Sequence, residues 1–229
     1  MSTISLDVYK EIKSNPQTAF LGIGEFNPQN ILSWKEVENY LNNPYFYGKD
    51  QIYIIDNEET KSLEEKIYSW SNVPRYSSKE IFADINSGKA FYCTNFNKFS
   101  HTCNSLSSEV YQNIPDINLD FHVYGGLKKS AESFSIHRDT ANNIILQIDG
   151  ESHWKVYNAD SSIEERNLYS VDYLQLLIEY TLKPGDLLYI PAGNYHKCYP
   201  LSKRLSISIC FNNKEDNRFI DTNWYCFNA

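Results

Sequence analysis

Several kinds of feature are scarce or missing in this sequence, and each gap excludes something. It has one methionine, eight prolines and nine glycines in 229 residues, and no stretch rich in Pro, Gly or Ser that would serve as a linker between independent domains. No unit repeats at a fixed period, so solenoid and propeller architectures are excluded. The five cysteines, Cys93, Cys103, Cys198, Cys210 and Cys226, are odd in number and contain no C-x-x-C pair. They therefore indicate neither a disulfide framework nor a zinc knuckle, and are read as reduced thiols. No apolar run approaches the roughly 20 residues of a membrane span, and MSTISLDVYKEIKSNPQ lacks the basic start and apolar centre of a signal peptide. No membrane partner is expected, and the location is read as cytoplasmic. Positive charge is also in deficit, with 21 Lys and Arg against 29 Asp and Glu and a net charge of −8. That balance argues against nucleic acid as a partner, while a basic or neutral one fits.

Aromatic residues, by contrast, are plentiful at 15%, with 18 tyrosines, which suits a β-rich fold whose buried rings carry polar handles. The first part of the chain, 1–117, reads as a mixed α/β region. Ser33-Trp34-Lys35-Glu36 forms a capping box opening a helix that ends near Asn43-Pro44. Residues 51–56 read as a strand, EETKSLEEKIYSW as an amphipathic helix, and 78–86 as a helix closed by Gly88. AFYCTNF reads as a strand, followed by a helical stretch over 106–111 that ends before Pro115. From 118 to 229 the texture becomes β: NLDFHVYGG, SFSIH, NNIILQIDG, HWKVYNA, YTLKPGDLLYIP and RLSISICF are short runs broken by Gly, Pro, Asn and Asp. Such spacing predicts a mainly β sandwich or barrel core, carried with the N-terminal region as a single structural unit. The intervening SSIEERNLYSVDYLQLLIEY is read as a helix or an extended lid.

Two stretches carry chemistry. SIHRDTANNIILQIDG places His137 two positions before Asp139, at the entrance to an apolar strand. KPGDLLYIPAGNYHKCYP sets His196 behind two turns, Pro184-Gly185 and Pro191-Ala192-Gly193, that flank a buried strand. This frame delivers His196 to the mouth of a barrel, from the sheet opposite His137. Together His137, Asp139 and His196 make two imidazoles and one carboxylate, the set that holds non-haem Fe(II) on one face. Three protein ligands leave room for a bidentate co-substrate and for O2. Zinc accepts the same donors, so residue types alone do not fix the metal.

Gly185-x5-Pro191-x-Gly193-x2-His196 resembles the second cupin motif, with Pro200 where Asn is usual. His137-x-Asp139-x3-Asn143-x6-Gly150 resembles the first motif in the form found in JmjC-type, cupin-like 2-oxoglutarate dioxygenases. The upstream ILSWKEVENYLNNP and SGKAFYCTNFNKF look like segments of the bacterial branch that includes ribosomal oxygenases. The resemblance implies a double-stranded β-helix (cupin, jelly-roll) barrel, the ligands His137, Asp139 and His196, the cofactor Fe(II), and 2-oxoglutarate and O2 as co-substrates. The implied reaction is hydroxylation of a peptide, protein or amino-acid side chain. Asn143 is expected at the metal-bound carboxylate of 2-oxoglutarate, and the Tyr124 hydroxyl at the co-substrate. In the relatives a Lys or Arg that grips the distal carboxylate stands where this sequence has Ser152. Arg204 is the candidate replacement, because an arginine fork holds a carboxylate in bidentate fashion, and Lys155 is the weaker one, facing away by strand alternation. Ribosomal oxygenases carry further domains after the barrel, so their dimerisation surfaces are not carried over and the oligomeric state stays open. Two alternatives remain: a metal-dependent cupin enzyme that does not use 2-oxoglutarate, which Ser152 favours, and a non-catalytic cupin binding module.

Overall fold

The computed structural model describes residues 2–42, 51–61, 63, 65–66, 75–158 and 174–214. Its backbone is organised by two antiparallel sheets. The larger has eight strands in the order β1-β12-β9-β14-β7-β6-β2-β3, and the smaller has four in the order β11-β10-β13-β8. In the large sheet these are β1 (Phe20–Gly22), β2 (Ile52–Asp56), β3 (Glu59–Lys61), β6 (Ala90–Cys93), β7 (Ile117–Gly126), β9 (Asn142–Asp149), β12 (Leu187–Ile190) and β14 (Arg204–Asn213). The small sheet contains β8 (His137–Arg138), β10 (Ser152–Tyr157), β11 (Leu176–Leu182) and β13 (Tyr195–Pro200). A separate two-stranded pair joins β4 (Glu65–Lys66) to β5 (Arg75–Tyr76). The protein is thus mainly β with helices, as the short broken runs predict.

Period-two alternation gives the large sheet its two faces. Ile144, Leu146 and Ile148 of β9 and Leu205, Ile207, Ile209 and Phe211 of β14 point outward into the main apolar core. Four helices cover that face: α1 (Leu6–Ser14), α2 (Trp34–Leu41), α3 (Ser78–Ser87) and α4 (His101–Asn113). They contribute among others Val8, Val37, Ile81 and Leu106. A second apolar cluster lies between the sheets, where Ile145, Leu188 and Ile190 meet Trp154, Val156 and Cys198. The inter-sheet space is therefore lined by side chains of both sheets, and the functional site occupies its mouth.

Local chemistry explains the element ends. The Ser33 side chain accepts from the Glu36 N–H while Glu36 returns a bond to the Ser33 N–H, which is the expected capping box. Gly88 closes α3 in the left-handed conformation, with φ of 114°. Glu109 on α4 ties down the N-terminal segment, accepting from the backbone of Thr3 at 2.6 Å and of Ile4 at 3.0 Å and from the Tyr9 hydroxyl at 3.0 Å.

Three expectations need correction. EETKSLEEKIYSW is not a helix over its described part: Asn57 and Glu58 both take positive φ, 53° and 65°, so a two-residue hairpin turn feeds residues 59–61 back onto β2. Residues 65–66 then pair as β4, and the end of that stretch, 67–70, lies outside the described residues. In SSIEERNLYSVDYLQLLIEY, residues 161–173 lie outside the described residues, but its tail belongs to strand β11 rather than a helix, paired along β10. SFSIH is strand only at its last residue, where β8 begins. The sequence reading also passed over α1 and β1. The first is a short helix capped by the Ser5 side chain, and the second contains the Leu21-Gly22 pair and adds to β12.

Candidate active site

His137 and His196 are cross-strand partners: β8 pairs with β13 in the register His196 to His137, and the ring centroids are 4.4 Å apart. The expectation that His196 arrives from the opposing sheet is therefore wrong. Both histidines stand on neighbouring strands of the small sheet, where directly opposed side chains of an antiparallel pair come close enough to share one partner. Asp139 follows β8 immediately. Its Oδ1 is 3.9 Å from His137 Nε2 and its Oδ2 3.6 Å from His196 Nε2, and one donor atom from each of the three residues lies within 4.8 Å of the others. Gly193, at φ 87°, donates its N–H to the Asp139 carbonyl at 2.8 Å. The Pro-Ala-Gly turn before β13 is thereby tied to the segment that carries the carboxylate.

The outer nitrogens set the tautomers. His137 Nδ1 lies 2.7 Å from the Ser135 carbonyl and His196 Nδ1 3.0 Å from the Asn194 carbonyl. A carbonyl only accepts, so each Nδ1 carries a proton, and in the neutral ring Nε2 is then the nitrogen that holds the lone pair. Burial pushes the pKa of His196 down to about 4, and the neighbouring His137 adds to the effect against the pull of Asp139. His196 is therefore neutral at physiological pH, the state in which imidazole binds a metal. Two imidazole nitrogens and a carboxylate on one side of a pocket fit a divalent ion with open positions.

That pocket passes between Tyr124, Phe134, Trp154, Cys198, Ser206 and Arg204. Arg204 begins β14 and is only 2% exposed. Its Nε and Nη2 are buried without a hydrogen-bond partner among the described residues. Leaving guanidinium donors buried and unpaired costs free energy of order several kcal/mol, so the fold maintains a cation that an anion entering the pocket would satisfy. Ser152, where a cation was expected by resemblance, is buried and engaged: its hydroxyl donates to Gln147 Oε1 at 2.7 Å and accepts from Trp154 Nε1 at 2.9 Å. Lys155 pairs with Glu179 at 3.1 Å and does not line the pocket, in keeping with strand alternation.

Tyr124 lines the pocket and stacks on Tyr92 with centroids 5.3 Å apart. Asn143 is 2% exposed, and its amide is fully engaged within the protein. Nδ2 donates to Asp139 Oδ2 at 2.9 Å and to the Ala141 carbonyl at 3.2 Å, while Oδ1 accepts from Ser208 Oγ at 2.9 Å and from Cys210 Sγ at 3.0 Å. In this arrangement both amide hydrogens of Asn143, expected at a co-substrate carboxylate, are directed to Asp139 and to the Ala141 carbonyl. His122 is buried beside this amide, with Nε2 3.0 Å from Asp120 Oδ2 and Nδ1 3.8 Å from Cys210 Sγ. The signal for this inner cluster was the alternation of Ser206, Ser208 and Cys210 with apolar residues in RLSISICF.

Comparison with known proteins agrees with this geometry. Ribosomal oxygenase 1 of Gallus gallus is 34% identical over 86 residues, which are 34% of this chain and 14% of that protein. The ribosomal protein uL16 3-hydroxylase of Escherichia coli (strain K12) is 31% identical over 101 residues, covering 43% of this chain and 26% of that one. The solved structure of the Escherichia coli ribosomal oxygenase YcfD in complex with cobalt and 2-oxoglutarate shares the fold at a TM-score of 0.63 and 16% identity. That superposition spans 98% of this chain and 60% of YcfD. The chain thus matches about a quarter or less of the length of these curated relatives. Residues 100–219, more than half of the sequence, match the JmjC domain, and the chain belongs to the JmjC domain family.

Proposed function

We propose that this protein is an Fe(II) and 2-oxoglutarate dependent dioxygenase that hydroxylates a side chain of a protein, peptide or amino acid. One observation carries the reading: a His-Asp-His cluster within 4.8 Å opens onto a pocket that also holds a buried arginine whose Nε and Nη2 have no hydrogen-bond partner among the described residues. In this reading His137 Nε2, His196 Nε2 and one oxygen of Asp139 hold the metal, and the Arg204 guanidinium grips the distal carboxylate of 2-oxoglutarate. Tyr124 offers its hydroxyl to the co-substrate from the pocket wall. When bound, iron and 2-oxoglutarate supply the oxidising chemistry, in which O2 gives one atom to succinate, formed with loss of CO2, and one to a substrate C–H bond.

The chain's own residues bind, orient and exclude water. The carbonyls of Ser135 and Asn194 keep both Nε2 atoms free to donate, and Phe134 and Trp154 wall the pocket with apolar surface. A protein side chain as substrate is supported by the names of the relatives, ribosomal oxygenase and ribosomal protein uL16 3-hydroxylase. Among the described residues no helix is long and apolar enough to cross a membrane, and the net charge of −8 disfavours nucleic acid. Both fit work on a protein in the cytoplasm.

The test is anaerobic reconstitution with Fe(II), then addition of O2, 2-oxoglutarate and candidate ribosomal-protein peptides, with succinate and peptide mass both read. Stoichiometric succinate and a gain of one oxygen on a peptide are expected. Succinate no higher than in the enzyme-free control, with iron bound and peptides spanning the ribosomal proteins tried, would favour a cupin enzyme that does not use 2-oxoglutarate.

A further inference from the structure

Asn143, Cys210 and Asp120 occupy one rung across three adjacent strands: Cys210 of β14 is in register with Asn143 of β9 on one side and with Asp120 of β7 on the other. Ser208 and His122 form the neighbouring rung. All five side chains project to the inner face of the large sheet, and hydrogen bonds connect them in sequence. The Asp120 carboxylate is fixed by the backbone N–H groups of Asn95 at 2.9 Å and Phe121 at 2.7 Å. It meets His122 Nε2, whose other nitrogen faces the Cys210 sulfur. The thiol donates to Asn143 Oδ1, and Asn143 Nδ2 donates to Asp139.

The orientation of the Asn143 amide follows from donor and acceptor types. On one side stand two groups that only accept, the Asp139 carboxylate and the Ala141 carbonyl. On the other stand two hydrogens, those of the Ser208 hydroxyl and the Cys210 thiol. A flipped amide would set its oxygen against a carboxylate and leave both donors unmatched, so a single orientation survives. The consequence falls on Asp139. Its Oδ2 is held by a neutral donor, while Oδ1 has no hydrogen-bond donor among the described residues.

We propose that Asn143 is a positioning residue for the Asp139 carboxylate, and that Cys210 and Ser208 set its amide so that Asp139 presents a fixed oxygen to the metal. The inference rests on the metal reading above and deepens it, giving a task to a buried thiol that the reaction itself does not use. His122, locked onto Asp120, holds the sulfur in place.

The test compares the wild-type chain with Asn143→Ala, Cys210→Val and Cys210→Ser. Co(II) is the probe: affinity is read by chelator competition, coordination by visible ligand-field absorption, and folding by the melting temperature of the metal-free protein. Asn143→Ala is expected to weaken Co(II) binding by about 10- to 100-fold, the usual effect of losing a group that orients a ligand, with an altered absorption envelope. Cys210→Val, which removes the donor while filling the space, should weaken binding in the same direction, and Cys210→Ser, which keeps a donor, should restore it. Folded Asn143→Ala and Cys210→Val proteins with wild-type affinity and an unchanged spectrum would overturn the proposal. If Asn143→Ala does not fold, the Cys210→Val and Cys210→Ser pair decides alone. Wild type that takes up no Co(II) would overturn the metal reading itself, and this inference with it.

Discussion

Strands β9 and β14 present two unlike surfaces on the same backbone. Their outer face is aliphatic and aromatic, Ile144, Leu146, Ile148, Leu205, Ile207, Ile209 and Phe211, and is sealed by helices. Their inner face carries Asn143, Gln147, Arg204, Ser206, Ser208 and Cys210, all buried and interrupted by Ile145. Period two lets one strand do both tasks without compromise. Apolar burial on the outer face stabilises the sheet, and this tolerates the desolvation of polar groups on the inner face. Most of those inner groups recover their lost water bonds internally, as Asn143, Gln147, Ser208 and Cys210 do. Arg204 retains unpaired donors, and it lies where a ligand would supply the partner. Stability on one face and unmet polar demand on the other is the pattern expected of a binding site built into a core wall.

Substitutions on the two faces should therefore have opposite signatures. The largest effect is expected for His196→Ala, which should abolish Fe(II) uptake, measured as metal content after anaerobic reconstitution and desalting, while the metal-free protein keeps its fold. On the outer face, Ile207→Ala should cost about 2–5 kcal/mol of unfolding free energy, as for other large-to-small changes in a packed core. Urea titration checks this, and Fe(II) affinity of the folded fraction should not change. Arg204→Met separates the two contributions most sharply. Loss of charge-assisted hydrogen bonds worth about 1.5–3 kcal/mol should weaken 2-oxoglutarate binding by about 10- to 150-fold in calorimetry of Mn(II)-loaded protein. Because a buried guanidinium with two donors unpaired among the described residues is removed, the metal-free variant should melt at or above the wild-type temperature.

The smallest effect concerns the outer side and depends on pH. Burial works against the Glu109 carboxylate, but the N–H groups of Ile4 and Thr3 and the Ser2 hydroxyl hold its pKa below the ordinary value of 4.5. A lowered folded-state pKa contributes stability above the unfolded value, and that stability is lost as pH falls through the folded one. Glu109→Gln should thus cost about 1 kcal/mol at neutral pH, and the gap to wild type should close as the pH is taken from 4.5 downward. Denaturant titrations at a series of pH values measure it. A gap that stays constant into acid would show that the bonds to residues 2–4 do not depend on the carboxylate's charge.

Legibility in the sequence followed the range of the interaction responsible. The capping box at Ser33 and Glu36 and the Gly88 cap act within a few residues, and both elements stand where the local pattern puts them. Strands β9, β12 and β14 were visible through their alternation or apolar runs. The hairpin after β2 was hidden because Glu59–Lys61 has charge spacing that also suits a helix, and the turn at Asn57-Glu58 overrode it. At the site, residue types singled out His137, Asp139 and His196, yet the pairing of β8 with β13 depends on strands far apart in sequence and was placed on the wrong sheet. Arg204 could be named from its strand position, but the burial of its Nε and Nη2 without partners among the described residues could not. The contacts of Asn143 with Ser208 and Cys210 span more than 60 residues of chain, and no local pattern encodes them.

The central claim is that one pocket holds both a metal on His137, Asp139 and His196 and a 2-oxo dicarboxylate on Arg204. Its most direct test is titration of anaerobic, Fe(II)-loaded protein with 2-oxoglutarate, followed by the weak visible charge-transfer absorption of an iron-chelated 2-oxo acid. The account predicts a saturable band for wild type, a band shifted to much higher 2-oxoglutarate concentration for Arg204→Met, and none for His196→Ala. Iron-loaded wild type that shows no band at saturating 2-oxoglutarate, or an Arg204→Met titration that overlays wild type, would contradict it.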